Sequence, residues 1–64
     1  MNPIEMMYAA HTSAIEDFIV ALARSSDPYD GHTRLLCART ANLNLDMLSC
    51  ADWDYIEDKL ERML

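Results

Sequence analysis

The sequence predicts an all-α fold, with a long helical hairpin followed by a shorter third helix in a single domain of residues 1–64. Three stretches carry the signals of a helix start, namely a capping side chain followed within the first turn by a proline or an acid. Apolar residues recur at spacings of three and four after these stretches. With one glycine and two prolines in 64 residues, few residues interrupt helical structure.

The first helix is predicted over residues 3–25. In "NPIE", Asn2 is a good N-cap because its side-chain oxygen accepts from an unpaired backbone N–H, and Pro3 suits the first helical position. Glu5 is placed to bond back to the cap, as in a capping box. The proline that follows Asp27 disfavours helical geometry at that residue, so the helix ends shortly before it. The apolar stripe of the helix comprises Ile4, Met7, Tyr8, His11, Ile15, Phe18 and Leu22.

The second half of this helix has apolar side chains all round, in "FIVALA" at residues 18–23. A helix of this kind is buried on more than one side. At about 1.5 Å per residue it is also roughly 34 Å long, which is long for so small a monomer. We therefore expect a homodimer, since two-fold dimers are the commonest oligomers; the alternative is a compact monomeric three-helix bundle. The expected dimer interface comprises Tyr8, Ile15, Phe18, Ile19, Val20 and Leu22.

The second helix is predicted over residues 28–48. Asp27, Pro28 and Asp30 repeat the pattern of the first start, with a cap, a proline and an acid. Apolar residues lie on two sides, which indicates a central helix with two neighbours. "NLNLDM" at residues 42–47 alternates polar and apolar residues, as a strand does. Because no second strand is evident to pair with it, we favour a helix that frays or ends early in this stretch.

The third helix is predicted over residues 50–63 and is the most clearly amphipathic of the three. Ser49 is its N-cap, and Asp52 occupies the position that completes a capping box. Lys59 and Arg62 lie toward its far end, where cations interact favourably with the helix dipole. Its single apolar stripe comprises Trp53, Ile56, Leu60 and Met63.

The charge of the chain narrows the classes of function. Eleven acidic and five basic residues give a net charge of −6. Binding nucleic acid through its phosphates, or binding an anionic membrane, requires a basic surface, so neither partner is expected. The six-residue run "FIVALA" is too short to cross a bilayer, and no positive region of a secretion signal follows Met1. We expect a cytoplasmic protein whose two cysteines are reduced.

The histidines and cysteines do not form a pattern that binds a metal or performs catalysis. His11, His32, Cys37 and Cys50 lack the short paired spacings of a zinc site. His32 and Cys37 are five residues apart, which places them on different faces of a helix. We therefore expect no metal, no cofactor and no catalytic residue, and we predict that the protein is not an enzyme. His11 is expected to bond a neighbour at the edge of the core or at the dimer seam.

Acidic residues concentrate on the third helix. They are Asp52, Asp54, Glu57, Asp58 and Glu61. We predict that these acids, together with Tyr29 beside the turn, bind a partner protein that has a basic surface. The alternative is a solvated face that keeps the protein soluble. Methionine side chains offer a second, adaptable binding surface, for which Met6 and Met7 are the foremost candidates.

These features predict a small, acidic, non-enzymatic protein-binding module. It would regulate or inhibit a larger protein by occupying its surface, as small accessory proteins of phages and mobile elements inhibit host defence or host regulators. One alternative is a nucleic-acid mimic that blocks a DNA- or RNA-binding surface. Another is a structural or assembly subunit whose partner is a second copy of itself or a larger complex.

Overall fold

The computed structural model describes residues 2–64, which form three α-helices. Helix α1 spans Pro3–Arg24, α2 spans Gly31–Thr40 and α3 spans Cys50–Met63. A short 3₁₀ turn, Leu45–Met47, lies between α2 and α3. No strand occurs in the described part of the chain, so the all-α prediction is confirmed. Met1, which belongs to the predicted 1–64 domain, lies outside the described residues.

Helices α1 and α3 begin as their sequences predict. The Asn2 side chain accepts from the N–H of Glu5 at 2.9 Å, and the Glu5 carboxylate accepts in return from the N–H of Asn2 at 3.4 Å. Ser49 and Asp52 form the same reciprocal pair, at 3.1 and 3.0 Å. Each capping box satisfies backbone donors that the helix itself leaves unpaired, which fixes both starts. Helix α1 ends at Arg24, close to the predicted residue.

The prediction that α2 begins at Pro28 is wrong. The Asp27 carboxylate accepts from the N–H of Tyr29 at 3.2 Å, and the N–H of Asp30 donates to the Asp27 carbonyl at 3.3 Å. These bonds close a turn with proline at its second position, which is a favoured place for that residue. The cap of α2 is Asp30, whose carboxylate accepts from the N–H and the hydroxyl of Thr33 at 3.0 and 3.1 Å.

The prediction that α2 continues to residue 48 is also wrong, because the helix ends in a Schellman motif after Thr40. Asn42 adopts a left-handed conformation with φ of 57°. Its N–H donates to the carbonyl of Arg39 at 3.1 Å, and the N–H of Leu43 donates to the carbonyl of Ala38 at 2.8 Å. Leu43 and Ala38 are both buried, as the apolar contact of this motif requires. The "NLNLDM" stretch is therefore neither helix nor strand but a loop with one 3₁₀ turn.

The core forms around α1, against which α2 and α3 both pack. The buried side chains are Ile15, Phe18, Ile19, Leu22, Ala38, Leu43, Ile56 and Leu60. Phe18 meets Trp53 of α3 edge-to-face, with ring centroids 6.2 Å apart. Since Ala38 is the only buried side chain of α2 in this set, α1 is the central helix, and not α2 as its two apolar sides predicted.

Arg34 connects α2 to α3. Its side chain is only 17% exposed, and one guanidinium nitrogen pairs with Glu57 of α3 at 2.7 Å. The guanidinium carbon lies 5.5 Å from the ring centroids of both Tyr29 and Trp53, and its Nε donates to the Pro28 carbonyl at 2.9 Å. A partly buried arginine is stabilised by such a combination of ring faces and charge-assisted bonds. One side chain thus joins the turn before α2 to the middle of α3.

Helix α1 is longer than the helices that cover it. Its 22 residues make it roughly 33 Å long, whereas the 14 residues of α3 span roughly 21 Å. Residues 3–10 are all exposed, and we call them the α1 overhang. The first α1 residue with partial burial is His11. The longest dimension of the molecule, 38 Å, reflects this projecting helix.

The backbone conformations of Asn42 and Asn44 predict that replacing each by glycine changes the free energy of unfolding in opposite directions. Asn42→Gly is expected to raise the free energy of unfolding by about 0.5 kcal/mol, because glycine adopts positive φ without a steric penalty. Asn44, at φ of −91°, caps the 3₁₀ turn by accepting from the N–H of Asp46 at 3.0 Å. Asn44→Gly is therefore expected to lower that free energy by about 0.2–0.5 kcal/mol, the few tenths that loss of an asparagine cap to glycine costs. Urea denaturation followed by circular dichroism measures both, and shifts of equal sign would contradict the assignment.

Candidate functional site

The α1 overhang carries the largest exposed apolar side chains of α1. Ile4, Met7 and Tyr8 are 78%, 72% and 74% exposed. Their spacing of three and four places them on one face, in line with His11 and Ile15 further along α1. The stripe that enters the core at Ile15 therefore leaves the bundle and continues uncovered to the first turn. Scattered exposed apolar residues are ordinary, whereas a contiguous apolar stripe along one helix face is a candidate interaction surface.

Polar residues mark the point where α1 enters the bundle. His11 Nε2 lies 3.4 Å from an Asp52 carboxylate oxygen, so His11 bonds a neighbour at the core edge, as expected. The pKa of Asp52 is lowered, chiefly because its carboxylate accepts from the Ser49 N–H and secondarily because of His11; partial burial opposes the shift. Tyr8 and Tyr55 flank this pair around a cavity of about 310 Å³. The inner end of the overhang stripe thus borders a polar-edged hollow.

A second hollow lies on the other side of α1, beside the loop that follows α2. It has a volume of about 440 Å³. Both small and polar residues line it; from α1 these are Ala10, His11, Ser13, Ala14 and Asp17, and from the loop Ala41, Asn42, Leu43, Asn44 and Met47. Met47 is 70% exposed. The overhang is therefore continuous with an open groove that has an apolar methionine at its margin.

A polar cluster lies further along the α1–α3 seam. The Glu16 carboxylate accepts from the hydroxyl of Tyr55 and from the Lys59 ammonium, the latter at 2.6 Å. The hydrogen bond from Lys59 is the main cause that lowers the pKa of Glu16, and the bond to Glu16 is the main cause that raises the pKa of Lys59. Lys59 also lies 5.5 Å from the Tyr55 ring centroid. The cluster fastens α3 to α1 along the edge of the core.

The residues predicted to form a dimer interface divide into two groups. Ile15, Phe18, Ile19 and Leu22 lie in the core of a single chain. Val20 is half-buried and borders a shallow hollow with Asp17 and Thr40, while Tyr8 is exposed on the overhang. The apolar sides of α1 are thus covered by α2 and α3 of the same chain. The large apolar side chains that remain exposed on α1 are Ile4, Met6, Met7 and Tyr8, all in the first turns of the helix.

The residues predicted to bind a partner also divide. Asp52 and Glu57 are engaged within the chain, by His11 and Arg34. Exposed on α3 are Asp54, Asp58 and Glu61, and Asp58 pairs with Arg62 at 2.8 Å along the helix. Tyr29 is 53% exposed, with one ring face toward Arg34.

The titratable residues of the described chain do not converge on a metal-binding geometry. Within residues 2–64, no group of three or more histidine, cysteine, aspartate or glutamate side chains is arranged to hold an ion. Cys37 is half-buried and Cys50 is exposed, and neither forms a disulfide. His32 lies on the exposed side of α2.

Comparison with known proteins adds no relative. No protein-family model matches the chain, and neither the curated proteins nor the solved structures include a match to it. Among the helices formed by residues 2–64, none combines the length and the hydropathy that crossing a bilayer demands. The proposal for function therefore rests on the geometry of this chain.

The Glu16 cluster predicts a specific acid sensitivity. The folded-state pKa of Glu16 is lowered from its ordinary value of 4.5. The ionised Glu16 therefore contributes fully to the free energy of unfolding above pH 4.5, and this contribution is lost as the pH falls through the folded-state pKa. Glu16→Gln is expected to lower the urea midpoint at pH 7 and to reduce its decline between about pH 6 and pH 3. Asp17→Asn, a change of the exposed neighbour, is the control. A variant midpoint that declines as steeply as that of the wild type would contradict this role.

Proposed function

We propose that this chain is a small, acidic, non-enzymatic protein-binding module that regulates or inhibits a larger protein by binding to its surface. The observation that carries the proposal is the α1 overhang, whose apolar stripe is exposed although the rest of the same stripe is buried. Hydrophobic burial is the main driving force of protein association, so a helix with an uncovered apolar face favours docking on another protein.

Charge supports a protein as the partner. The surface of the chain carries a net charge of −6, which disfavours phosphate backbones and anionic lipid. The exposed acids Asp54, Asp58 and Glu61 would meet basic residues at the margin of a docking site and would raise the association rate. The partner surface is therefore expected to be apolar where the overhang docks and basic where α3 approaches it.

The predicted helical hairpin and homodimer belong to this proposal. A hairpin of α1 and α2 is supported by the residues at the end of α2. Thr40 and Ala41 lie beside Asp17 and Val20 of α1, although α2 begins only after α1 has ended. A structural or assembly subunit is the second candidate, because an apolar stripe that is nearly free of charge suits permanent contact between copies. A nucleic-acid mimic has weaker support, because two of the five acids on α3 are paired within the chain, Asp52 with His11 and Glu57 with Arg34.

The test of the proposed function compares two acidic substitutions of exposed apolar residues. Ile4→Glu places a charge in the overhang stripe, at the helix end where an acid also suits the dipole. Leu36→Glu makes the same chemical change on α2, where Leu36 is 47% exposed. The tagged full chain is used for affinity capture from the native cell. The wild type and Leu36→Glu should retain the same partner proteins, whereas Ile4→Glu should lose them or retain about tenfold less.

Circular dichroism is the control for folding of both variants. Equal capture by Ile4→Glu and the wild type would contradict a docking role for the overhang. Loss of capture by Leu36→Glu alone would instead assign the docking surface to α2.

A further inference from the structure

We propose that the protein that covers the α1 overhang is a second copy of this chain, whose own overhang packs antiparallel against it about a two-fold axis. The inference rests on the proposed function in taking the overhang to be a protein-docking surface: in the free protein a second copy occupies that surface, and the larger partner would displace it. Three observations favour a copy over an unrelated protein: the continuity of the stripe, the distribution of charge and the extent of exposed surface.

The stripe indicates which kind of element must cover it. From Ile15 onward α1 is covered by helices of its own chain, whereas Ile4, Met7 and Tyr8 lie on the same face and are 72–78% exposed. A helix with an equivalent stripe provides the matching ridges and grooves. The overhang of a second copy has this stripe by identity, and a two-fold axis places the same patch on both sides of the contact.

The distribution of charge separates the overhang from the acidic surface of α3. Glu5 is the only one of the 11 acidic residues that lies in residues 3–10, and all five basic residues follow Ser13 in the sequence. Glu5 is also engaged in the capping box with Asn2 and favoured by the helix dipole. Two copies that met through their α3 surfaces would bring excess acids together, which is unfavourable. Contact through the overhangs avoids this repulsion, whereas a strongly basic partner would be attracted to α3.

The amount of exposed surface indicates a small interface. The chain has an accessible surface of 4616 Å², whereas a compact monomer of 7.3 kDa is expected to have about 4,200 Å². The excess of about 400 Å² belongs to the whole chain, so the overhang supplies less than the 800 Å² or so that each partner buries in an interface of standard size. A dimer that forms only at raised protein concentration is therefore expected.

Sedimentation equilibrium of the full chain tests the inference. The weight-average mass of the wild type is expected to rise from 7.3 kDa toward twice that value between about 1 µM and about 1 mM protein. Met7→Lys, in the overhang stripe, should remain at 7.3 kDa over this range. Met63→Lys is the matched control, because Met63 is an exposed methionine in the last turn of α3 and the change in net charge is the same. An equimolar mixture of Met7→Lys and Met7→Glu should regain the higher mass.

Either of two results would overturn the inference. One is a wild-type mass that stays at 7.3 kDa up to about 1 mM. The other is association of Met7→Lys equal to that of the wild type, which would place the contact elsewhere. A monomeric wild type would contradict the dimer but not the proposed function, which the Ile4→Glu capture experiment tests separately. Failure of the dimer and failure of the proposed function are therefore distinguishable.

Discussion

The structure depends on the length of α1 relative to the helices that pack on it. Helix α1 has 22 residues, whereas α2 has ten and α3 has 14. Because α2 and α3 both use α1 as their packing surface, its second half is buried on more than one side. Neither helix reaches residues 3–10, so the same apolar stripe is core in one half of α1 and surface in the other. The proposed docking role and the proposed dimer both follow from this inequality.

A core of eight buried residues is small, and cation-centred contacts supplement it at the helix seams. Arg34 joins α2 to α3 between two aromatic rings and a carboxylate, and Lys59 joins α3 to α1 through a carboxylate and a tyrosine. His11 and Asp52 mark the end of the seam next to the overhang. These contacts engage Asp52 and Glu57, two of the five acids that the sequence predicts to bind a partner. The net charge of the chain therefore overstates how much acidic surface is free for binding.

The sequence was sufficient to predict the elements whose signals are local. The capping boxes at Asn2 and Ser49 fixed the starts of α1 and α3, since a cap depends on residues three positions apart. Asp27 was misleading because an aspartate before a proline closes a turn as readily as it caps a helix. The end of α2 was missed because asparagine, and not the commoner glycine, occupies the left-handed position at Asn42.

The surface was harder to predict than the helices, because periodicity shows that a face is apolar but not what covers it. Ile19 and Leu22 belong to a face that α2 and α3 bury, whereas Ile4 and Met7 continue the stripe where no helix lies. The stripe itself was predicted correctly. Its division into core and overhang depends on where α3 begins relative to α1, which requires tertiary contacts such as that of His11 with Asp52.

Amide hydrogen exchange at two protein concentrations measures most directly whether the overhang lies outside the core and is covered by a second copy. At about 1 µM the amides of Tyr8 and Ala10 are expected to exchange about a hundredfold or more faster than those of Ile19 and Leu22, which open only with global unfolding. At about 1 mM exchange at Tyr8 and Ala10 should slow by about tenfold while Ile19 is unchanged. Overhang amides as protected as Ile19 in dilute solution, or exchange at Tyr8 that does not depend on concentration, would contradict this account.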